Sequence, residues 1–180
     1  MVERESVQEY HARRAPEYDQ VYEKPERQGD LRALRALVDD LLCGKDVLEL
    51  ACGTGYWTRV ISAVAKSVVA SDICPEVLSV ARAGVGDTNA VTLTFADAMK
   101  LADIPGDFTA AFAGFWWSHV PRKQLRGLLA GLRDRLGAGA RLVFMDNRYV
   151  EGSSTPIAGV DFGGSSFQVR HPRNGTRYRY

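Results

Sequence analysis

Five short runs of β-branched and aromatic residues alternate with helical segments along most of the chain. The runs predict buried strands at Asp46–Leu50, Ser67–Ser71, Val91–Ala96, Phe108–Phe115 and Arg141–Met145. Helices are predicted at Asp30–Leu42, Trp57–Ala65, Pro75–Ala83 and Pro121–Leu136. Because neighbouring parallel strands need a helix to bring the chain back, this alternation predicts an α/β fold with a doubly wound, mostly parallel sheet of five core strands.

The 180 residues suffice for one domain, and no repeat, linker or low-complexity tract divides them. We expect a single domain over residues 1–180, with an arm at 1–29, a core at 30–147 and a loop with a terminal hairpin at 148–180. In this last part, the segments EGSSTPIAG and DFGGSS predict a flexible loop. The Asn-Gly pair at 174–175 then predicts a hairpin between Phe167–His171 and Thr176–Tyr180.

The composition excludes several classes of protein. Lysine and arginine number 23 against 22 acidic residues, and this balance argues against nucleic acid as a partner. The longest nearly apolar stretch, Phe108–Trp117, is far shorter than the ~20 residues that span a bilayer. The three cysteines are odd in number and lack the paired spacing of a zinc site. We therefore expect a cytoplasmic protein with free thiols and no metal, acting away from membranes.

The first predicted strand runs directly into the sequence ACGTG at residues 51–55 and then into a helix. Two glycines let the backbone approach a ligand closely, and open α/β sheets bind ligands at the carboxyl ends of their strands. The third glycine of the dinucleotide fingerprint is missing, because position 58 is Thr58. The pattern predicts a cofactor loop that does not bind a pyrophosphate.

Three acidic residues stand at the ends of three successive strands. Glu49 precedes the glycine loop, Asp72 ends the second strand, and Asp97 follows the third. A carboxylate at the second position can bind the two hydroxyls of a ribose, and one at the third can accept a hydrogen bond from the amine of a purine. Together the acids indicate an adenosine group without phosphates.

Four segments, ELACGTG, VVASDICPEVL, FADAMKL and FAGFWWSHV, resemble in order and spacing the class I S-adenosylmethionine-dependent methyltransferases, whose fold is Rossmann-like. The resemblance covers Val47 to Met145. It implies S-adenosylmethionine as cofactor, S-adenosylhomocysteine as product, and methyl transfer to an O, N or C nucleophile of a small molecule. The family sheet usually has seven strands. Either the terminal hairpin replaces the last two, or the chain is a piece of a longer protein.

The same resemblance implies a set of cofactor-binding residues: Glu49, Ala51, Gly53, Thr54, Gly55, Asp72, Ile73, Asp97, Ala98 and Phe115. In this set the glycines line the methionine and ribose groups, with Glu49 near the amino group. Asp72 holds the ribose hydroxyls, Ile73 flanks adenine, and Asp97 with Ala98 meets the adenine amine. Ala51 stands where such loops often have another glycine. The N-terminal Tyr10 and Tyr18 are candidates to close over the cofactor, or else they anchor the arm on the sheet edge.

Three residues after the fourth strand are candidates for the acceptor side. His119 is a candidate general base, because imidazole titrates near neutral pH. Alternatively, it caps the helix that begins at Pro121 or binds the cofactor's backbone side. Trp116 and Trp117 are candidates for substrate binding, and on a strand only one of them would face the substrate.

Other interpretations stay open at this point. The two glycines could serve only a tight turn, Asp72 could cap a helix, and Cys52 is expected to pack rather than react. The chain could be a non-catalytic cofactor-binding or partner module, or a nicotinamide-dependent oxidoreductase. A bare fifth strand would be an open sheet edge. We expect Phe167 to Tyr180 to cover that edge in the same chain, or in a second copy to form a homodimer.

Overall fold

A computed structural model of the protein describes residues 19–148, 151, 157–160, 166–170 and 178–179. The strands are β1 (Asp46–Leu50), β2 (Ser67–Asp72), β3 (Val91–Phe95), β4 (Ala110–Gly114), β5 (Arg141–Met145), β6 (Ile157–Val160), β7 (Ser166–Arg170) and β8 (Tyr178–Arg179). The α-helices are α1 (Gln20–Glu23), α2 (Gln28–Leu42), α3 (Tyr56–Ser62), α4 (Pro75–Val85) and α5 (Arg122–Leu136). Short 3-10 helices lie at Pro25–Arg27, Leu101–Asp103 and Trp117–His119.

The central sheet has five parallel strands in the order β3-β2-β1-β4-β5. Strand β1 lies in the middle, and the strand order reverses between β1 and β4. This arrangement confirms the predicted α/β fold. It also places the carboxyl end of β1 at the point where open α/β sheets bind their ligands.

Helices cover both faces of this sheet. On one face Val47 packs in a core with Leu31 and Val38 of α2 and Ile61 of α3. On the other face the neighbouring Leu48 packs in a second core that includes side chains of α5. Val47 and Leu48 are both fully buried, because β1 has a sheet neighbour on each side and a helical layer on each face. Glu49, two residues after Val47, therefore points toward the face covered by α2 and α3.

The fourth strand is shorter than predicted. It extends only from Ala110 to Gly114, because Phe115 adopts a left-handed conformation with φ of 59° that ends the extended backbone. Before the strand, Thr109 Oγ1 accepts a hydrogen bond from the Asp46 backbone N–H at 3.0 Å. Trp116 consequently lies in the connection after β4 and Trp117 begins a 3-10 helix, so the expectation that they lie on a strand was wrong.

A second, antiparallel sheet has the order β6-β7-β8. The pairing of β7 with β8 confirms the predicted hairpin, although its turn lies outside the described residues. The predicted flexible loop was wrong at 157–160, where β6 pairs with β7. Within the described residues neither β7 nor β8 pairs with β5, so β5 is an edge of the central sheet. The described part of the hairpin therefore does not pair with this edge in the same chain, contrary to the expectation, and the homodimer stays a prediction.

Candidate active site

A cavity of about 200 Å³ opens at the carboxyl end of β1. Its walls come from the ends of β1, β2 and β4, from α1, and from the first turns of α3 and α4. The sequence-predicted residues that line it are Glu49, Ala51, Gly53, Thr54, Asp72, Ile73, Phe115, Trp116 and His119. The fold thus brings together residues that are far apart in the sequence.

The two glycines of the loop at residues 51–55, hereafter the cofactor loop, have different roles. Both have positive φ angles, 57° at Gly53 and 79° at Gly55. A Cβ built on Gly53 would have no atom within 4 Å, so this glycine leaves open space beside the cavity. A Cβ built on Gly55 would lie 3.1 Å from the Ala81 Cβ, so this glycine allows α3 and α4 to pack closely. Only Gly53 fits a role in ligand approach.

Two other residues of the cavity wall have positive φ angles without being glycine. Ala51 has φ of 51° and Phe115 has φ of 59°. Such conformations cost on the order of 1–3 kcal/mol each and occur often at functional sites. At Ala51 the angle also explains why a glycine would suit this position.

The Asp72 carboxylate shapes the cofactor loop from the end of β2. Its Oδ2 accepts a hydrogen bond from the Gly53 N–H, and its Oδ1 accepts one from the Cys74 N–H, both at 2.9 Å. The bond from the Cys74 N–H orders the chain just before α4. This agrees in part with the alternative that Asp72 caps a helix. Each carboxylate oxygen accepts about two hydrogen bonds, so Asp72 retains capacity for the hydroxyls of a ligand.

Glu49 carries a buried carboxyl group beside the cavity. Its side chain is only 1% exposed, and its Oε2 has no hydrogen-bond partner among the described residues. The pKa of Glu49 is raised from 4.5 to about 8, mainly by burial and to a smaller extent by the nearby Asp72, although Thr58 and Arg59 act to lower it. A buried carboxyl oxygen without a partner beside a cavity fits a ligand that carries an amino group.

Aromatic rings form much of the remaining wall, and most of them are not among the site residues predicted from the sequence. Tyr22 stacks on Tyr56 with ring centroids 3.8 Å apart, and Trp57 lies edge-on to both rings. The ring centroid of Phe115 lies 6.3 Å from that of Tyr22 and 6.3 Å from that of Trp57. Tyr56 and Trp57 could have been predicted as site residues, because they directly follow the cofactor loop in the sequence. Tyr22 had no such signal, because packing alone brings α1 to the cavity.

The structure places other predicted residues outside the cavity lining. Asp97 follows β3, where its Oδ1 accepts a hydrogen bond from the Met99 N–H at 2.9 Å, and Ala98 is buried beside it. The Trp117 ring packs on Phe144 with centroids 4.5 Å apart, so of the two tryptophans only Trp116 faces the cavity. Tyr10 and Tyr18 lie outside the described residues.

The cysteines show no sign of a catalytic role in the described part of the chain. Cys52 and Cys74 are buried in the cavity wall, and Cys43 is exposed. Burial raises the pKa of the Cys52 thiol and keeps it protonated, as expected of a packing residue. The described residues contain no cluster of side chains suited to a metal ion. None of the described helices has the length and apolar character needed to cross a membrane.

Comparison with known proteins identifies relatives of this fold and site. A family profile described as "Methyltransferase domain" matches residues 47–139, more than half of the 180-residue chain. The solved structure described as "DhpI-SAH complex structure" is 28% identical, with a TM-score of 0.70, over 96% of this chain and 76% of that chain. The "DhpI-SAM-HEP complex" is 28% identical, with a TM-score of 0.68, over 94% and 77% of the two chains.

A third structure, the N-methyltransferase NodS from Bradyrhizobium japonicum WM9, is 16% identical over 65% of this chain and 68% of that chain, with a TM-score of 0.57. At this identity the likeness shows the fold alone. A search of curated proteins found no match.

Proposed function

Because this chain belongs to the methyltransferase-domain family and is an S-adenosylmethionine-dependent methyltransferase, we propose that it methylates an O, N or C nucleophile of a small-molecule acceptor. The observation that carries the proposal is the open space beside Gly53, in a cavity that the acidic residues Glu49 and Asp72 also line. The complex described as containing DhpI, SAM and HEP supports a third component held together with the cofactor.

We propose that the methionine and ribose groups lie along residues 51–55. In this arrangement the Glu49 carboxyl faces the amino group, and the Asp72 carboxylate accepts hydrogen bonds from the ribose hydroxyls. The charge-assisted hydrogen bonds to Asp72 would contribute about 1.5–3 kcal/mol each. The Glu49 oxygen that has no partner among the described residues supports the first assignment, and the spare capacity of Asp72 supports the second.

The adenine group is proposed to lie between Ile73 and the turn after β3. Ile73 lines the cavity and is 42% exposed, which leaves an apolar surface for a flat ring. Asp97 and Ala98 lie on the neighbouring strand end, because β3 pairs with β2. A hydrogen bond from the adenine amine to Asp97 would extend the site beyond the cavity lining.

The acceptor is proposed to bind on the side of the cavity formed after β4. Trp116 and Phe115 give this side an apolar aromatic surface, and His119 stands at its rim. When bound, S-adenosylmethionine supplies a sulfonium methyl group that is already activated. The chain's own contribution is to hold the acceptor in line and to exclude water, and positioning of this kind accounts for several orders of magnitude in rate. His119 is proposed as the group that accepts the acceptor's proton where one must leave.

We also propose that the protein acts in the cytoplasm without a nucleic-acid partner. The three free cysteines support the first statement. The nearly balanced charge of the chain supports the second.

The proposed cofactor site is tested by ligand-dependent melting of the wild-type protein and of Asp72→Asn. S-adenosylhomocysteine at ~100 times its Kd should stabilise the wild type by about 2.7 kcal/mol, whereas NAD should leave the melting temperature unchanged. Asp72→Asn keeps one carbonyl oxygen and should weaken the binding of S-adenosylhomocysteine about tenfold or more. Equal affinity of the folded variant, measured by calorimetry, would contradict the ribose assignment. Stabilisation by NAD alone would contradict the proposed function itself.

A further inference from the structure

Asp19 joins the N-terminal segment, residues 19–27, to the cofactor loop. One oxygen of its carboxylate accepts a hydrogen bond from the Thr54 hydroxyl. The other accepts one from the Arg59 guanidinium, with Nη2 and Oδ2 2.9 Å apart. Thr54 lies between the two glycines of the loop, and Arg59 lies on α3. The Asp19 carboxylate therefore connects the N-terminal segment, the cofactor loop and α3.

Arg59 adds a second contact to this connection. Its Nη1 donates a hydrogen bond to the Thr54 carbonyl oxygen at 3.3 Å, so the guanidinium contacts the cofactor loop directly as well as through Asp19. The absence of a side chain at Gly84 makes room for it, because a Cβ there would lie 2.7 Å from Nη1. Thr54 is 2% exposed, so its hydroxyl needs a partner within the protein.

Among the described residues, the Asp19 carboxylate does not act as a helix cap. Asp19 immediately precedes α1, a position where an aspartate commonly caps the helix, yet its side chain makes no capping bond there. Its backbone carbonyl accepts a hydrogen bond from the Tyr22 N–H at 2.9 Å. Through this turn the position of Asp19 sets the position of Tyr22, whose ring stacks on Tyr56 in the cavity wall.

We propose that Asp19 is a positioning residue that holds the N-terminal segment and the cofactor loop together, and thereby controls how long the cofactor stays bound. Asp19 does not line the cavity. Its effect on the ligand passes through Thr54 in the loop and through Tyr22 in the wall. This inference rests on the proposed function, because it concerns the same cofactor site.

The test measures S-adenosylhomocysteine binding to three variants by stopped-flow fluorescence, with Trp57 and Trp116 of the cavity wall as reporters. Asp19→Asn removes the charge but keeps the shape, and Thr54→Val removes the hydroxyl. Each should raise the dissociation rate about three- to tenfold and leave the association rate within about twofold, since contacts made in the bound state act mainly on dissociation. The double variant should dissociate no faster than the faster single variant, because both changes open the same connection.

Asp46→Asn is the matched control. It weakens an ion pair of similar length, with Asp46 Oδ2 and Lys66 Nζ 3.1 Å apart, at the opposite end of β1 from the cavity. This variant should dissociate at the wild-type rate. An unchanged dissociation rate in folded Asp19→Asn and Thr54→Val would overturn the inference, as would an equal increase in Asp46→Asn. If the wild type does not bind S-adenosylhomocysteine at all, the proposed function fails first.

Discussion

Glu49 is the residue whose chemistry depends most on its surroundings. An ordinary glutamate has a pKa of 4.5, but burial raises that of Glu49 to about 8. The folded protein therefore binds a proton at this site over a pH range in which the unfolded chain has lost it. The contribution of Glu49 to the free energy of unfolding must then fall as the pH rises from about 4.5 to about 8.

This linkage gives a prediction for Glu49→Gln. The amide cannot ionise. Between about pH 4.5 and pH 8 the variant should therefore lose less stability than the wild type, by the amount that Glu49 contributes. Across the whole window that amount is on the order of a few kcal/mol. Urea unfolding at a series of pH values between 5 and 9, on the order of one unit apart, measures the difference.

Glu26→Gln is the control, because it removes a carboxylate that is exposed in the segment before α2. Its stability should follow the wild-type curve. If the curves of the wild type and Glu49→Gln ran parallel, the Glu49 carboxyl would titrate alike in the folded and unfolded states.

At the scale of elements, the junction between β1 and α3 serves two purposes within five residues. Gly53 leaves space beside the cavity, and Gly55 lets α3 approach α4 at Ala81. Both residues have positive φ angles, so an alanine at either position incurs a similar backbone strain of roughly 1–2 kcal/mol. One glycine therefore leaves space for a ligand, and the other allows two helices to pack closely.

Gly53→Ala and Gly55→Ala should differ in a defined way. Gly53→Ala should lower the affinity for S-adenosylhomocysteine more than about tenfold, because its methyl group enters the space beside the ligand. Gly55→Ala should lose about 1–3 kcal/mol more stability than Gly53→Ala, since its Cβ meets Ala81. Calorimetry and urea unfolding of both variants check these outcomes. Equal affinity of Gly53→Ala and the wild type would show that the loop is only a turn.

At the scale of the whole molecule, the described residues form two sheets rather than one. The five-stranded parallel sheet has β5 at an edge, and β6, β7 and β8 pair separately. An uncovered edge strand carries backbone groups that another chain can pair with. The proposed homodimer would use this edge of the central sheet.

Deletion of residues 165–180 is expected to lower the melting temperature and to promote aggregation. The deletion removes β7 and β8, and β6 then loses the strand with which it pairs. Differential scanning fluorimetry and light scattering compare the deletion with the full chain. Unchanged melting and solubility would show that the second sheet contributes nothing to stability, and a monomeric full chain would contradict the homodimer.

The sequence by itself predicted the parallel sheet, its five strands and the loop at their carboxyl ends. These features depend on local patterns: runs of buried residues, helical periodicity, and glycines at residues 53 and 55. Glu49, Asp72 and Phe115 line one cavity, because the carboxyl ends of parallel strands meet at one edge of the sheet.

The tertiary structure alone decided which distant residues complete the site. Asp19 and Thr54 are 35 residues apart, and no local pattern predicts that their side chains meet. The division of roles between Gly53 and Gly55 likewise depends on the position of Ala81 in another helix. Sequence periodicity records which face of an element is apolar. Which elements share that face, and how deeply a carboxyl such as Glu49 is removed from water, depends on the packing of the whole chain.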